Sequence, residues 1–189
     1  LFDSIRKEQN ATTKLQLLKS WKEKYPNSDF KVDGGLQTME AYRASGNGKE
    51  MLNAAKEVVD LDGKNVQALY WANLLTISLQ DKSPEALAAG EKYAKGLIDA
   101  APAFFDISKK PAGVAEDAWK KEQSNMTATG HRTLGWVALQ RKQNEDAEKE
   151  FLALLQLNPN DAEVSSWAGT AVALQRKLEK QSSALYHFA

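Results

Sequence analysis

The chain has 189 residues, 42% of them hydrophobic and 26% charged, enough to bury one substantial core in a single domain. Its 25 basic and 25 acidic residues cancel, and Lys22, Lys24, Arg176, Lys177 and Lys180 stand among Glu or apolar neighbours, so the electrostatic footprint of a nucleic-acid binder is absent. With no cysteine, disulfides, thiolate catalysis and cysteine-held zinc or iron–sulfur centres are excluded, and no apolar run approaches the roughly 18–20 residues of a membrane span.

Apolar residues recur at helical spacing and no alternating β-branched stretch persists, which predicts an all-α chain. In chain order the helices are predicted near 11–25, 29–45, 48–61, 66–80, 84–100, 113–142, 145–157, 161–176 and 178–188. Asn65 reads as the N-cap of the fourth, and Ser83 followed by Pro84 opens the fifth. Asn144 reads as the N-cap of the helix in which Ala147, Phe151, Leu154, Leu155 and Leu157 share a face; Glu148, Lys149, Glu150 and Gln156 fill the other. Asn160 with Glu163 three positions on resembles a capping box that starts the next helix.

Short turns between these helices suggest antiparallel hairpins, and residues 128–161 carry a repeat signature. Leu134-Gly135 is followed by Ala147, Phe151 and Pro159 at matching separations, and on these five positions the segment resembles the tetratricopeptide repeat family. Small Gly135 and Ala147 allow two helices to approach closely, Leu134, Phe151 and Leu154 fill the space between hairpins, and Pro159 ends the unit. His131 and Ala138 depart from the pattern, standing where Trp and Tyr are common. Gly169, in Trp167-Ala168-Gly169, follows Gly135 at the repeat length of the family. In that last unit Gln181 falls where Ala is wanted, a role Ala184 takes through a longer turn.

Upstream, Lys24-Tyr25-Pro26-Asn27, Leu61-Asp62-Gly63-Lys64-Asn65 and Ala101-Pro102 resemble repeat ends, with Pro26, Gly63 and Pro102 spaced a little wider than one family repeat. From Pro102 to Pro159 the chain spans one repeat plus an insertion. That insertion, Ala103 to about Asn125, holds Phe104, Phe105, the Lys109-Lys110-Pro111 turn and an N-terminal extension of the helix containing Trp119. The resemblance implies one domain of antiparallel helix hairpins stacked in a right-handed superhelix. Its repeats would be 1–31 (partial), 32–65, 66–102, 128–161 and 162–189 (partial), with 103–127 inserted. Bacterial repeat proteins of unassigned function, many of them exported, are similar to it.

Such proteins hold a partner segment in a concave groove formed by the first helix of each hairpin. By resemblance the groove positions are Thr129, Arg132, Trp136, Leu139 and Gln140 in the clear repeat, and Gln67, Tyr70, Leu74, Ile77 and Ser78 in the one from Val66. The repeat from Val32 supplies Asp33, Leu36, Glu40, Arg43 and Ala44, and the last repeat Glu163, Ser166 and Thr170. Trp21, Trp71 and Trp167 are expected in the core. The Lys, Arg and Asn set with which some family members hold a terminal carboxylate is mostly missing.

No HExxH pair, phosphate-binding glycine loop or nucleophile elbow is present, and the two histidines, His131 and His187, have no catalytic company. Adjacent carboxylates such as Glu116-Asp117 and Glu145-Asp146 diverge on a helix and do not converge on a substrate. The expected function is therefore a non-enzymatic protein-interaction scaffold with a protein or peptide partner, no nucleic acid, no membrane span and no cofactor. The alternative is a small-ligand carrier whose pocket, lined by Phe104, Phe105 and Trp119, is covered by residues 103–125. Weak self-association through Leu185 and Phe188 is a third possibility. The chain starts at Leu1 without an initiator Met and ends within a helix, which reads as a trimmed piece and favours an exported or periplasmic location.

Overall fold

The computed structural model describes residues 2–188, the side chain of Phe188 excepted. The described residues form ten α-helices and two short 3-10 turns, with no strand among them. Contacts group the chain into two units, Leu1–Leu79 and Gln80–Ala189. In each, antiparallel helices pack on their sequence neighbours, the stacked-hairpin, all-α helical-repeat arrangement expected.

The first unit contains α1 (Phe2–Lys7), α2 (Ala11–Lys24), α3 (Lys31–Ala44), α4 (Gly48–Leu61) and α5 (Val66–Ser78). Three asparagines start its helices: the side chains of Asn10, Asn47 and Asn65 accept hydrogen bonds from the backbone N–H of Thr13, Glu50 and Ala68 at 3.0, 3.2 and 3.1 Å, each satisfying one free donor of a first turn. Helix α4 is the most amphipathic. It buries Met51, Ala54, Ala55, Val58 and Val59, the last four spaced to share one face.

Helix α1 has no counterpart among the predicted helices. So short a segment does not nucleate a helix by propensity, and tertiary contact holds this one. Ile5 is fully buried with Leu18 and Trp21, while the Phe2 ring lies 4.8 Å from that of Trp21 and 5.3 Å from that of Phe30.

The second unit contains α6 (Pro84–Phe104), α7 (Glu116–Gln140), α8 (Asn144–Leu157), α9 (Ala162–Leu174) and α10 (Gln181–Phe188). Ser83 caps α6 as predicted, accepting from the N–H of Ala86 at 3.2 Å with Pro84 inside the first turn. Pro102, however, does not end the helix. It lies within α6, which runs on to Phe104; so near a C-terminus the proline removes one ladder bond without breaking the helix. Two other caps shift by a position. Asp161, not Asn160, caps α9, accepting from the N–H of Val164 at 3.1 Å, and Asn144 is the first residue of α8 rather than its cap.

The core around the clear repeat unites Ala138 of α7, Ala147, Phe151 and Leu154 of α8, and Val164, Ala168 and Ala171 of α9. Gly135 permits it. A Cβ built there would lie 2.5 Å from Cδ1 of Phe151, a side chain itself fully buried, so a larger residue must push α7 and α8 apart.

A second regularity lies in the backbone. The second residue after α3, α5, α7 and α9 is left-handed each time: Gly46, Gln80, Lys142 and Arg176, with φ of 70°, 54°, 61° and 55°. Gly46 and Gln80 are one repeat length apart, as are Lys142 and Arg176. The turns after α3 and α7 close in the same way. The N–H groups of Asn47 and Gln143 reach back to the carbonyls of Tyr42 and Ala138 at 3.0 and 2.9 Å, the Schellman pattern.

Two outcomes are expected in thermal melts. Gly135→Leu should destabilise the protein by about 3 kcal/mol through overpacking against Phe151; an unchanged melting curve would contradict the close approach. Lys142→Gly should raise the midpoint, because a left-handed non-glycine residue costs about 1 kcal/mol, partly offset by glycine's unfolded-state entropy. A lowered midpoint would show that the lysine side chain stabilises the turn by more than its backbone strains it.

Candidate partner-binding surfaces

In the first unit the predicted binding face comes from α3 and α5. Glu40 accepts a fork of two hydrogen bonds from Arg43, from Nε at 3.0 Å and Nη2 at 2.5 Å. This fork holds the guanidinium 5.5 Å from the ring centroid of Trp71 on α5, and Tyr70 meets the same indole edge to face at 5.5 Å. The bond to Glu40, followed by its charge, raises the proton affinity of Arg43, so the patch carries a cation held between a carboxylate and the Trp71 ring, with Tyr70 packed on that ring in turn. Gln67 and Leu74 flank Tyr70 by one helical turn on either side, the first exposed and the second partly so. Trp71, expected in the core, is partly exposed and joins Arg43 to Tyr70. Asp33 is taken up by Arg6 of α1 at 2.9 Å.

In the second unit Arg132 has the corresponding part. Its guanidinium pairs with Glu163 at 2.6 Å and with Asp161, and lies 5.8 Å from the ring centroid of Trp167 on α9. Trp71 and Trp167 stand at the same position relative to the N-cap of their helices, Asn65 and Asp161. Thr129 and Thr170 turn their hydroxyls back to the carbonyls of Asn125 and Ser166, at 2.9 and 3.0 Å. Ser166 and Thr170 are exposed and Gln140 partly so.

Trp136 corrects the expectation. It is 4% exposed and belongs to the core. Helix α7 is packed by α6 on one side and α8 on the other, and the consecutive residues Gly135, Trp136, Val137 and Ala138 are all buried; at that level no stripe of the helix faces solvent. His131 has a structural place, its Nδ1 lying 2.7 Å from a carboxylate oxygen of Glu150.

The insertion folds back on itself. Trp119 donates from its indole N–H to the carbonyl of Asp106 at 3.3 Å, and its ring lies 4.7 Å from Phe105 and 6.4 Å from Phe104. Phe105 is buried, Phe104 half exposed. On α10 Leu185 is exposed; the side chain of Phe188, its proposed companion, lies outside the described residues.

A cleft in the first unit has no counterpart among the predicted surfaces. Helices α2 and α4 both pack on α3, and a cleft of about 700 Å³ opens between them. Its floor is α3 at Lys31, Gly34, Gly35, Thr38 and Tyr42, with Lys31 at the helix start. A Cβ on Gly34 would meet Trp21 of α2 at 2.5 Å, and one on Gly35 would meet Val58 of α4 at 2.5 Å, so the glycine pair lets both walls close down on the floor helix. At about 100° per residue, Gly34, Thr38 and Tyr42 point away from Glu40 and Arg43. The cleft and the aromatic patch thus occupy opposite sides of α3. The adjacent glycines inside a helical pattern were the one sequence signal for it.

Among the described residues no three His, Asp or Glu side chains gather as a metal site would require, and no helix is long and apolar enough to cross a membrane. No family model matches the sequence, and no curated protein does. Among solved structures the fold is similar to that of a crystal structure of MamA, with a TM-score of 0.64 at 15% identity over 98% of this chain and 89% of that one. A second MamA crystal structure aligns with a TM-score of 0.38 at 15% identity, covering 85% and 90% of the two chains. A tetratricopeptide repeat protein from Parabacteroides merdae ATCC 43184 gives 0.40 at 14% identity, covering 98% and 73%. At such identities the likeness is one of fold. The chain has an all-α helical-repeat fold of stacked helix hairpins.

Trp136→Ala should therefore act on stability, lowering it by about 3–5 kcal/mol as a buried aromatic truncation does. A denaturant titration in which the variant matches the parent would return Trp136 to the surface.

Proposed function

We propose that this protein is a non-enzymatic interaction scaffold that holds a partner segment against the α3–α5 face of its first unit. The observation that supports this is the Glu40–Arg43–Trp71–Tyr70 cluster. Exposed aromatic and arginine side chains dominate binding energy at interfaces, and most effectively when already held in place. Here the fork to Glu40 and the contact with Trp71 restrict Arg43 before any partner arrives. Gln67 and Leu74 extend the face along α5, adding a polar and an apolar contact. The counterpart in the second unit, Arg132 with Glu163, Ser166 and Thr170, offers a smaller and more polar surface.

Two features favour a protein or peptide over a small ligand. The patch is a face rather than a cavity, and the rings of Phe104, Phe105 and Trp119 pack on one another, at 4.7–6.4 Å between centroids, where the small-ligand reading would need them spread around a ligand.

The test is selection of binding peptides from a displayed random library on the intact chain, followed by affinity measurement on variants. Arg43→Ala and Tyr70→Ala should each weaken the selected peptides at least about tenfold, as loss of a hot-spot side chain does, with helicity by circular dichroism unchanged. Peptides that bind both variants as tightly as the parent would remove this face from the function.

A further inference from the structure

We propose that the cleft between α2 and α4 is a second docking site, separate from the α3–α5 face. Its occupant is an amphipathic helix of a partner protein, with acidic residues along one edge of its apolar stripe and basic residues along the other.

The shape comes first. Along α2 the cleft runs from Leu15 to Tyr25, just past the end of the helix, and on α4 from Glu50 to Leu61, about 15 Å at the helical rise per residue. That length accommodates three turns of a helix. Although α3 is flanked on both sides, Gly35, Thr38 and Tyr42 stay partly exposed along it. The walls add Tyr25 and Leu61, which are 42% and 54% exposed, large apolar groups at the end of the cleft.

The secondary structure of the occupant follows from backbone hydrogen bonding. Both walls and the floor are helices, whose own N–H and C=O groups are paired internally and offer no ladder to an added strand. An extended segment would depend for its backbone hydrogen bonds on the few polar side chains of the lining, Gln16, Thr38 and Asn53, whereas a helix satisfies its own. Helix-in-groove recognition is the mode this geometry suits.

The charges specify the edges. The charged residues that α2 contributes to the cleft are Lys19 and Lys22; those of α4 are Glu50, Glu57 and Asp60. One wall is basic and the other acidic. Lys22 and Glu57 meet across the opening at 2.6 Å, with side chains 66% and 60% exposed, an ion pair so solvated that parting it costs little. A helix entering here replaces that pair with two, its acidic edge against Lys19 and Lys22 and its basic edge against Glu57 and its neighbours. A uniformly charged helix would be repelled by one wall.

The experiment uses the full chain and three lactam-stapled helical peptides that share one leucine stripe. The first has one acidic and one basic edge, the second two acidic edges, the third two basic edges. By fluorescence anisotropy the first should bind at least tenfold more tightly than either other. Thr38→Trp, which fills the floor, should weaken it at least tenfold, and Tyr70→Ala on the opposite face should leave it unchanged. The surface double variant Lys19→Glu/Lys22→Glu makes both walls acidic and should transfer the preference to the peptide with two basic edges. Equal affinity for all three peptides, no binding of any, or a preference that survives the double variant would overturn the proposal. So would concentration-dependent self-association that Thr38→Trp abolishes, since the occupant would then be a second copy of this chain. Loss of binding on Tyr70→Ala with no effect of Thr38→Trp would assign the peptide to the α3–α5 face instead.

Discussion

The structure depends on how closely two helices can approach when one of them gives up its side chain at the crossing. Gly135 is the clearest case. The space a Cβ would need is occupied by the ring of Phe151, and that ring anchors a core shared by α7, α8 and α9. Gly34 and Gly35 apply the same constraint twice on one helix, admitting Trp21 from one side and Val58 from the other. Close packing without voids is how such stacks reach the density of a protein interior. Gly35, partly exposed, also brings the backbone of α3 to the floor between its neighbours. The same economy that seats α2 and α4 on α3 leaves the cleft between them.

Much of this fold could be read before any coordinates, because its elements are long and strongly periodic. Most helices fall near their predicted spans, and Ser83 and Asn65 cap as read. The misses have distinct physical causes. Helix α1 owes its existence to Phe2 and Ile5 packing on Trp21 and Leu18, a tertiary effect that so short a segment does not advertise. Pro102 looked like a stop because proline usually is one, yet it lies so close to the end of α6 that continuing the helix loses little. Gln80, Lys142 and Arg176 were invisible as turn residues, since a left-handed position filled by a long polar side chain has no compositional mark. Their spacing shows a strict one-repeat register on either side of the insertion, where Pro and Gly punctuation in the N-terminal half suggested longer intervals.

The surfaces were less legible than the fold, for a reason visible at Trp136. A repeat pattern says which positions can face a groove. Whether they do depends on how many neighbours the helix has, and α7 is covered on both flanks at that level. Arg43 and Tyr70 emerge because α3 and α5 leave that side of the first unit open, and the residue uniting them, Trp71, belongs to a type more often buried. Charge segregation across the cleft was harder still to see, since Lys19 and Lys22 are distant in sequence from Glu50, Glu57 and Asp60. Hairpin packing alone turns a neutral composition into two opposed walls.

The two sides of α3 therefore differ in kind. Toward α5 it presents a cation already forked by a carboxylate and stacked on an indole, a small, rigid surface whose interactions are largely made in advance. Toward α2 and α4 it presents glycine, threonine and tyrosine under a solvated ion pair, a larger concave surface whose interactions are still to be made. Preorganisation lowers the entropic cost of binding at the first, so few contacts suffice there. The second must recover its affinity from buried apolar area and from exchanging one exposed ion pair for two shielded ones.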